Sequence, residues 1–197
     1  MWFIGRGPLT VRELTPGGEN PVNSINKGTG RVQVQVKWDP SPLGAPPSDL
    51  DIIAATYPTG DRYGAPAYLV HFDSRSPDGT ITLNRDSQTG QGLGYDEVMT
   101  LELDRLAAQF GRVVVGVAIQ QRGGRMTFGD VAGTGFRIAE GYTRLSEGDF
   151  GVVSDATAAT VAEFVRDASG AWAFHDHVRG FEADPDEFAR VMGGLRP

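Results

Sequence analysis

The sequence has no cysteine. That excludes disulfides, thiolate zinc sites and cysteine nucleophiles together, and it suits a reducing compartment. Lysine is nearly absent: Lys27 and Lys37 are the only two, and 25 acidic residues against 18 basic ones leave a formal net charge of −7. Binding a phosphate backbone requires clustered Lys/Arg, so nucleic acid is not an expected partner. No stretch approaches the ~20 consecutive apolar residues of a membrane-spanning helix. The opening "MWFIGRGPLTVREL" lacks the basic-then-apolar pattern of a secretory leader. A cytoplasmic protein without a transmembrane segment is expected. Catalytic signatures are missing too. There is no G-x-S-x-G, no P-loop and no arguable Ser/His/Asp order, and "GTGFRI" (133–138) lacks the third glycine and following helix of a dinucleotide site. Nothing demands catalysis, and a non-enzyme is expected.

What is present is a series of short strand signals. Hydrophobic residues make up 40% of 197 residues, enough for a substantial core. In "VQVQVKW" (32–38), Val32, Val34, Val36 and Trp38 alternate with Gln33, Gln35 and Lys37, the pattern of a half-buried strand. "DPSPLGAPPS" (39–48) holds four prolines and cannot be regular structure. Strand signals follow at 50–56, 67–72, 80–83, 98–103, 112–119 and 135–139. "VVVGVAI" (113–119) is almost wholly apolar, as a central strand buried on both faces would be. "TVAEFVR" and "AWAFHDHV" flank the turn sequence "DASG" (167–170), which predicts a hairpin with Trp172 and Phe174 facing the core. "DRLAAQF" (104–110) has the composition of two helical turns. "DPDEFARVMGG" (184–194) has Asp184 as N-cap, Pro185 at N1 and terminal glycines, which predicts a helix. These signals indicate a mainly β, two-sheet β-sandwich with one or two short helices. It is read as a single domain over 1–197, residues 1–30 forming an N-terminal extension.

"SPDGTITLNRDSQTGQGLGYDEV" (76–98) packs four glycines and four acidic side chains around one strand signal. Calcium takes six to eight oxygens, and closely spaced carboxylates with glycine-permitted turns can supply them. The residues alone allow either a cation-binding loop or a solvated connection. The D-x-D-x-D-G register of an EF-hand is missing. In "SDLDIIA" (48–54), Asp49 and Asp51 lie two apart on a strand and so share a face. "HDH" (175–177) places His175 and His177 on one face, a geometry zinc can use, but no third ligand is near and only His71 remains; a packed or solvated pair is the simpler reading. Asp78 in "SPDG" reads as a turn residue, and Trp38, Trp172 and Phe174 as core.

The order of segments "VKWDP" (36–40), "SDLDIIA" (48–54), "YLVHFDSRSPDG" (68–79), "RDSQTGQGLGYDE" (85–97), "VVVGVAI" (113–119), "FGDVAGTGFRI" (128–138) and "GAWAFHDHVRGF" (170–181) resembles the TerD family of tellurium-resistance and general stress proteins. The resemblance runs from about residue 30 to the end. It implies a β-sandwich that binds calcium, in the family as an adjacent pair of ions. The departures are specific. Arg85 and Ser87 stand where the family has glycine and asparagine, Leu93 and Tyr95 where it has loop aspartates, and Gln91 where it has glutamate. Of six acidic loop positions, Asp86, Asp96 and Glu97 remain. Two adjacent dications repel unless carboxylates compensate them.

The metal residues implied are therefore Asp49, Asp51, Asp86, Asp96 and Glu97, forming one weak or vestigial Ca2+ site with the fold retained. The expected role is a non-enzymatic calcium-binding domain in a stress-response assembly with protein partners or a homo-oligomer. The alternative is a structural subunit of a larger assembly such as a virion or tail, which kept the fold and shed the metal.

Overall fold

The computed structural model describes residues 23–24 and 30–194. Most of the expected N-terminal extension, residues 1–30, lies outside the described residues, as does the chain end at 195–197. Among the described residues there are eleven strands, β1 (Asn23–Ser24), β2 (Arg31–Lys37), β3 (Leu50–Pro58), β4 (Tyr68–Val70), β5 (Ile81–Arg85), β6 (Glu97–Glu102), β7 (Phe110–Ile119), β8 (Gly135–Glu140), β9 (Thr143–Gly148), β10 (Ala158–Arg166) and β11 (Trp172–Phe181), followed by one α-helix, α1 (Pro185–Val191). They form two sheets, β1-β11-β10-β7-β3-β4 and β5-β6-β2-β8-β9. All the pairings between these strands are antiparallel.

The alternation in β2 sends Val32, Val34 and Val36 into the space between the sheets, where they meet Ile52, Val113, Val115, Val117, Met99 and Leu101. The apolar run of β7 is buried on both faces, because α1 covers the outer side of its sheet. There Phe188 packs against Ile53, Val114, Ala118 and Ala158. Gly116 is the gap in the apolar run, and any Cβ there would run into the Phe188 ring. The helix begins as its sequence predicts: Asp184 accepts from the Glu187 amide at 2.8 Å and Pro185 occupies the first turn.

The 160–178 hairpin also forms. Asp167 accepts from Ser169 and Ala171 amides, Gly170 takes φ +85°, and Arg166 pairs with Trp172. The segment 104–110 departs from its helical expectation and makes successive tight turns, with Arg105, Leu106 and Phe110 amides bonding three residues back. Two helical turns are too short to nucleate unaided. Leu103 and Leu106 are instead drawn into the core, and Thr59 bonds Gln109 across the connection.

Trp172 is buried, donates its indole N–H to Leu103 O at 2.8 Å and lies under the Arg166 guanidinium at 4.6 Å. Trp172→Ala removes the ring and that bond, and is expected to lower unfolding free energy by about 3–5 kcal/mol. Equilibrium denaturation checks this; an unchanged midpoint would place the ring outside the core.

Candidate metal centre

The acidic loop is fixed at both ends by the sandwich. Pairing of β2 with β6 sets Val36 opposite Glu97, so the loop after β2 and the loop before β6 leave from the same end. A bulge between Leu83 and Arg85 turns the β5 end toward the same place. Asp96 donates its amide to Val36 O at 2.8 Å, and its carboxylate Oδ2 accepts from the Trp38 amide at 3.0 Å. Trp38 in turn donates its indole N–H to Ser48 O at 2.9 Å, holding down the proline-rich loop. Gly90 lies against this tryptophan at φ +65°. A Cβ there would come within 2.6 Å of the ring and 2.8 Å of the Trp38 carbonyl, so only glycine allows the loop this close.

This framework gathers three carboxylates. Asp51 comes from β3 in one sheet, Glu97 from β6 in the other, and Asp86 from the loop between them. One oxygen from each lies within 4.8 Å of the others. Glu97 is 0% exposed. Its Oε2 accepts from the Ile52 amide at 2.6 Å, across the sheets, while its buried Oε1 has no hydrogen-bond donor among the described residues. Asp51 Oδ2 accepts from the Gln120 side-chain amide at 2.6 Å. Asp49 is buried beside it and pairs with Arg122 at 3.0 Å. Asp86 is exposed, and grooves lined by His71 and Phe72 open on either side, one reaching Asp51 and the other Asp86.

Burial pushes the Glu97 carboxyl well above its ordinary range, and the facing Asp86 carboxylate pushes it further. Two carboxylates offer no donor to each other unless one is protonated, so a shared proton or a cation must stand between them. Burial raises Asp51 to about 6, with Gln120 acting against the rise and the Asp49 and Asp86 charges adding to it. Asp49 is also raised, by burial first, while Arg122 opposes.

Of the five residues expected at a metal, the fold brings Asp51, Asp86 and Glu97 together and sets Asp49 next to them on Arg122. Asp96 stands apart from the cluster with its carboxylate on Trp38. Adjacent residues entering a strand face opposite ways, which divides the neighbours Asp96 and Glu97 between two tasks. Asp78 is a turn residue, accepting from Thr80 N and Oγ1 at 3.0 and 2.6 Å. No histidine joins a metal-ligating group among the described residues. Gln120 and Arg122 were not legible as partners of the site. Their signal is the polar run "QQRGGR" (120–125) directly after β7, which reaches Asp49 and Asp51 because Leu50 pairs with Ile119.

An antiparallel sandwich that gathers two buried strand carboxylates and one exposed loop carboxylate at one end defines the class of protein: a β domain without an EF-hand, carrying an acidic cluster able to hold a metal ion. Residues 11–190 match the TerD domain, and the chain belongs to that family. The resemblance drawn from the segment order is thereby confirmed. The chain is 25% identical to tellurium resistance protein TerD of Alcaligenes sp, over 82% of this chain and 86% of that one. It is 24% identical to TerD of Serratia marcescens, over 85% and 90%. A solved structure described as a homologue of telluride resistance protein (TerD), SCO6318 from Streptomyces coelicolor A3(2), is 58% identical with a TM-score of 0.81, covering 83% of this chain and 96% of that chain. Another, SAV2460, described as a protein of unknown function, is 63% identical with a TM-score of 0.83, covering 84% and 98%.

The raised Asp51 carboxyl has a pH signature. Its folded value, about 6, lies above its ordinary value of 3.8, so its contribution to stability is full below about pH 4 and is lost as pH rises through 6. In chelator, wild type is expected to lose about 2–3 kcal/mol relative to Asp51→Asn between pH 4 and pH 7. Paired denaturation curves at the two pH values check this; a constant difference would mean Asp51 titrates normally.

Proposed function

We propose that the chain is a non-enzymatic TerD-domain protein that binds one calcium ion at Asp51, Asp86 and Glu97. The observation that carries this reading is the Glu97 carboxylate: buried between the sheets, tied through one oxygen to Ile52 N, with its other oxygen lacking a donor beside two further carboxylates. The donor set is all oxygen, which selects a hard cation. Calcium fits better than magnesium, because magnesium keeps much of its water shell and a buried, fixed carboxylate oxygen has no room to accept it.

Asp49 and Asp96 belong to the centre in supporting roles. Asp96 holds Trp38 and so fixes the entry of β6, while Asp49 is neutralised by Arg122. A protein-borne guanidinium at that point supports a single-ion site in place of the family's pair. So do Leu93 and Tyr95, which carry no charge to offset a second dication. The chain is read as acting with protein partners in a cytoplasmic stress response of the tellurium-resistance type. What supports that role is membership of the family and the relatives whose names describe tellurium resistance; these come from bacteria, and no feature of the described residues favours a virion component.

A site with three carboxylates is expected to bind at about 10⁻⁵ M or more weakly. At a hundredfold excess over that Kd, calcium adds about 2.7 kcal/mol, or roughly 5–10 °C in melting temperature for a domain of this size. Thermal melts in chelator and in millimolar calcium check this on wild type and on Asp86→Asn combined with Glu97→Gln. The rise is expected in wild type and lost in the double variant. A folded wild type with no rise would leave the loop as a relic.

A further inference from the structure

We propose that the groove between α1 and the 71–74 turn is a binding site for an aliphatic polyamine, whose ammonium groups meet Asp73, Asp186 and Asp51. The groove lies on the outer face of the six-stranded sheet and encloses about 560 Å³, within the range of small-molecule sites. The reading stands whether or not a metal fills the acidic centre.

The strand register places the lining on one face. Asp51 and Ile53 stand two apart on β3 and point the same way. Ala55 pairs with Leu69, so Ile53, two residues back, comes level with His71 just past the end of β4. The helix lies over this surface, with Ala189 packed in one cluster with Ile53 and Leu69. Asp186 stands three residues before Ala189 and so shares its side of the helix. Ile53, Leu69 and Ala189 make an apolar floor. Phe72, 51% exposed, meets the His71 ring edge-on at 5.4 Å and adds an aromatic wall.

Carboxylates rim that floor without countercharge. The charges of Asp73 and Asp186 both reach His71, so the two acids flank one ring. Neither carboxylate has a hydrogen bond or ion pair among the described residues. Asp51 is 4% exposed, and of its two oxygens only Oδ2 has a donor there, the Gln120 side chain. Asp184, also in the lining, is engaged as the cap of α1. Arg122 is the one lysine or arginine among the lining residues described, and Asp49 already holds its guanidinium at 3.0 Å. His71 adds no charge, because burial lowers its pKa and its Nδ1 accepts from the Asp73 amide at 3.3 Å. Four carboxylates against one engaged arginine repel phosphate and carboxylate ligands and favour a cation.

The spacing selects the kind of cation. Asp51, Asp86 and Glu97 are the only group close enough to share a metal ion among the described residues, so Asp73 and Asp186 do not close on one. Two residues along a strand span about 6.6 Å, which separates Asp51 from the level of His71 with Ile53 between them. Acid, apolar floor and acid follow one another, as ammonium, methylene run and ammonium do in a polyamine. An ammonium also gains from the exposed Phe72 ring. A protein partner is disfavoured, since specific protein interfaces bury about 800 Å² per partner and this site is a confined cleft.

The test is calorimetric titration of the full chain with spermidine, in chelator, on wild type, Asp73→Asn, Asp186→Asn, their double variant and Glu147→Gln. Glu147 is exposed on β9 of the other sheet and controls for general attraction to a chain of net charge −7. Wild type is expected to bind one spermidine, and butylamine, with a single ammonium, about tenfold or more weakly. Each aspartate variant is expected to bind spermidine about threefold more weakly and the double variant about tenfold, with Glu147→Gln unchanged. The aspartates are exposed, and thermal melts check that the variants fold; the comparison of spermidine with butylamine on wild type carries the test without them. No saturable binding, equal binding of butylamine, or equal weakening by Glu147→Gln would overturn the site. A lysine-containing peptide that binds and is weakened by the aspartate variants, where spermidine does not bind, would reassign the groove to a protein partner and overturn it equally.

Discussion

A carboxylate buried between two sheets is the constraint around which this end of the molecule is arranged. Charging Glu97 in a site with no exposure is costly, and one backbone N–H cannot compensate the charge. The rest of the neighbourhood reads as a response. Gln120 and Arg122 extend from the end of β7 to hold Asp51 and Asp49, while Asp86 is brought in by a bulged strand. A carboxylate cluster that is destabilised alone and relieved by a small hard cation is what a binding site requires, because the energy missing from the fold is recovered on binding.

Position is supplied by aromatic and backbone contacts, not by the charges themselves. Trp38 ties three segments at once, through its amide to Asp96, its indole to Ser48 and its ring face to Gly90. The loops it gathers have little apolar surface of their own facing inward, so without it they would have no reason to stay near the cluster.

The parts legible in the sequence were those with local causes. Alternation in 32–38, the apolar run of 113–119, the DASG turn and the Asp-Pro start of α1 each follow from neighbours along the chain. The carboxylates proposed for the metal came from the family resemblance, since their spacing alone left a solvated connection equally open. The helix proposed at 104–110 failed because Leu106, with Leu103 just before it, serves a distant core. The division of labour between Asp96 and Glu97 depended on where β6 begins. Arg122 and Gln120 depended on which strand lies beside β3, and pairing across 69 residues leaves no mark on a single sequence.

Asp51 and Glu97 stand on different sheets. An ion held by both, as proposed above, would be a rivet through the sandwich, and its main effect would fall on time. The two strands are far apart in sequence, so the rivet site assembles late in folding and the ion has little to grip before then. The sheets cannot part at that end until the ion leaves, which slows unfolding far more than it speeds folding. With the proposed single ion in place, the folded lifetime of the chain would follow the free calcium around it.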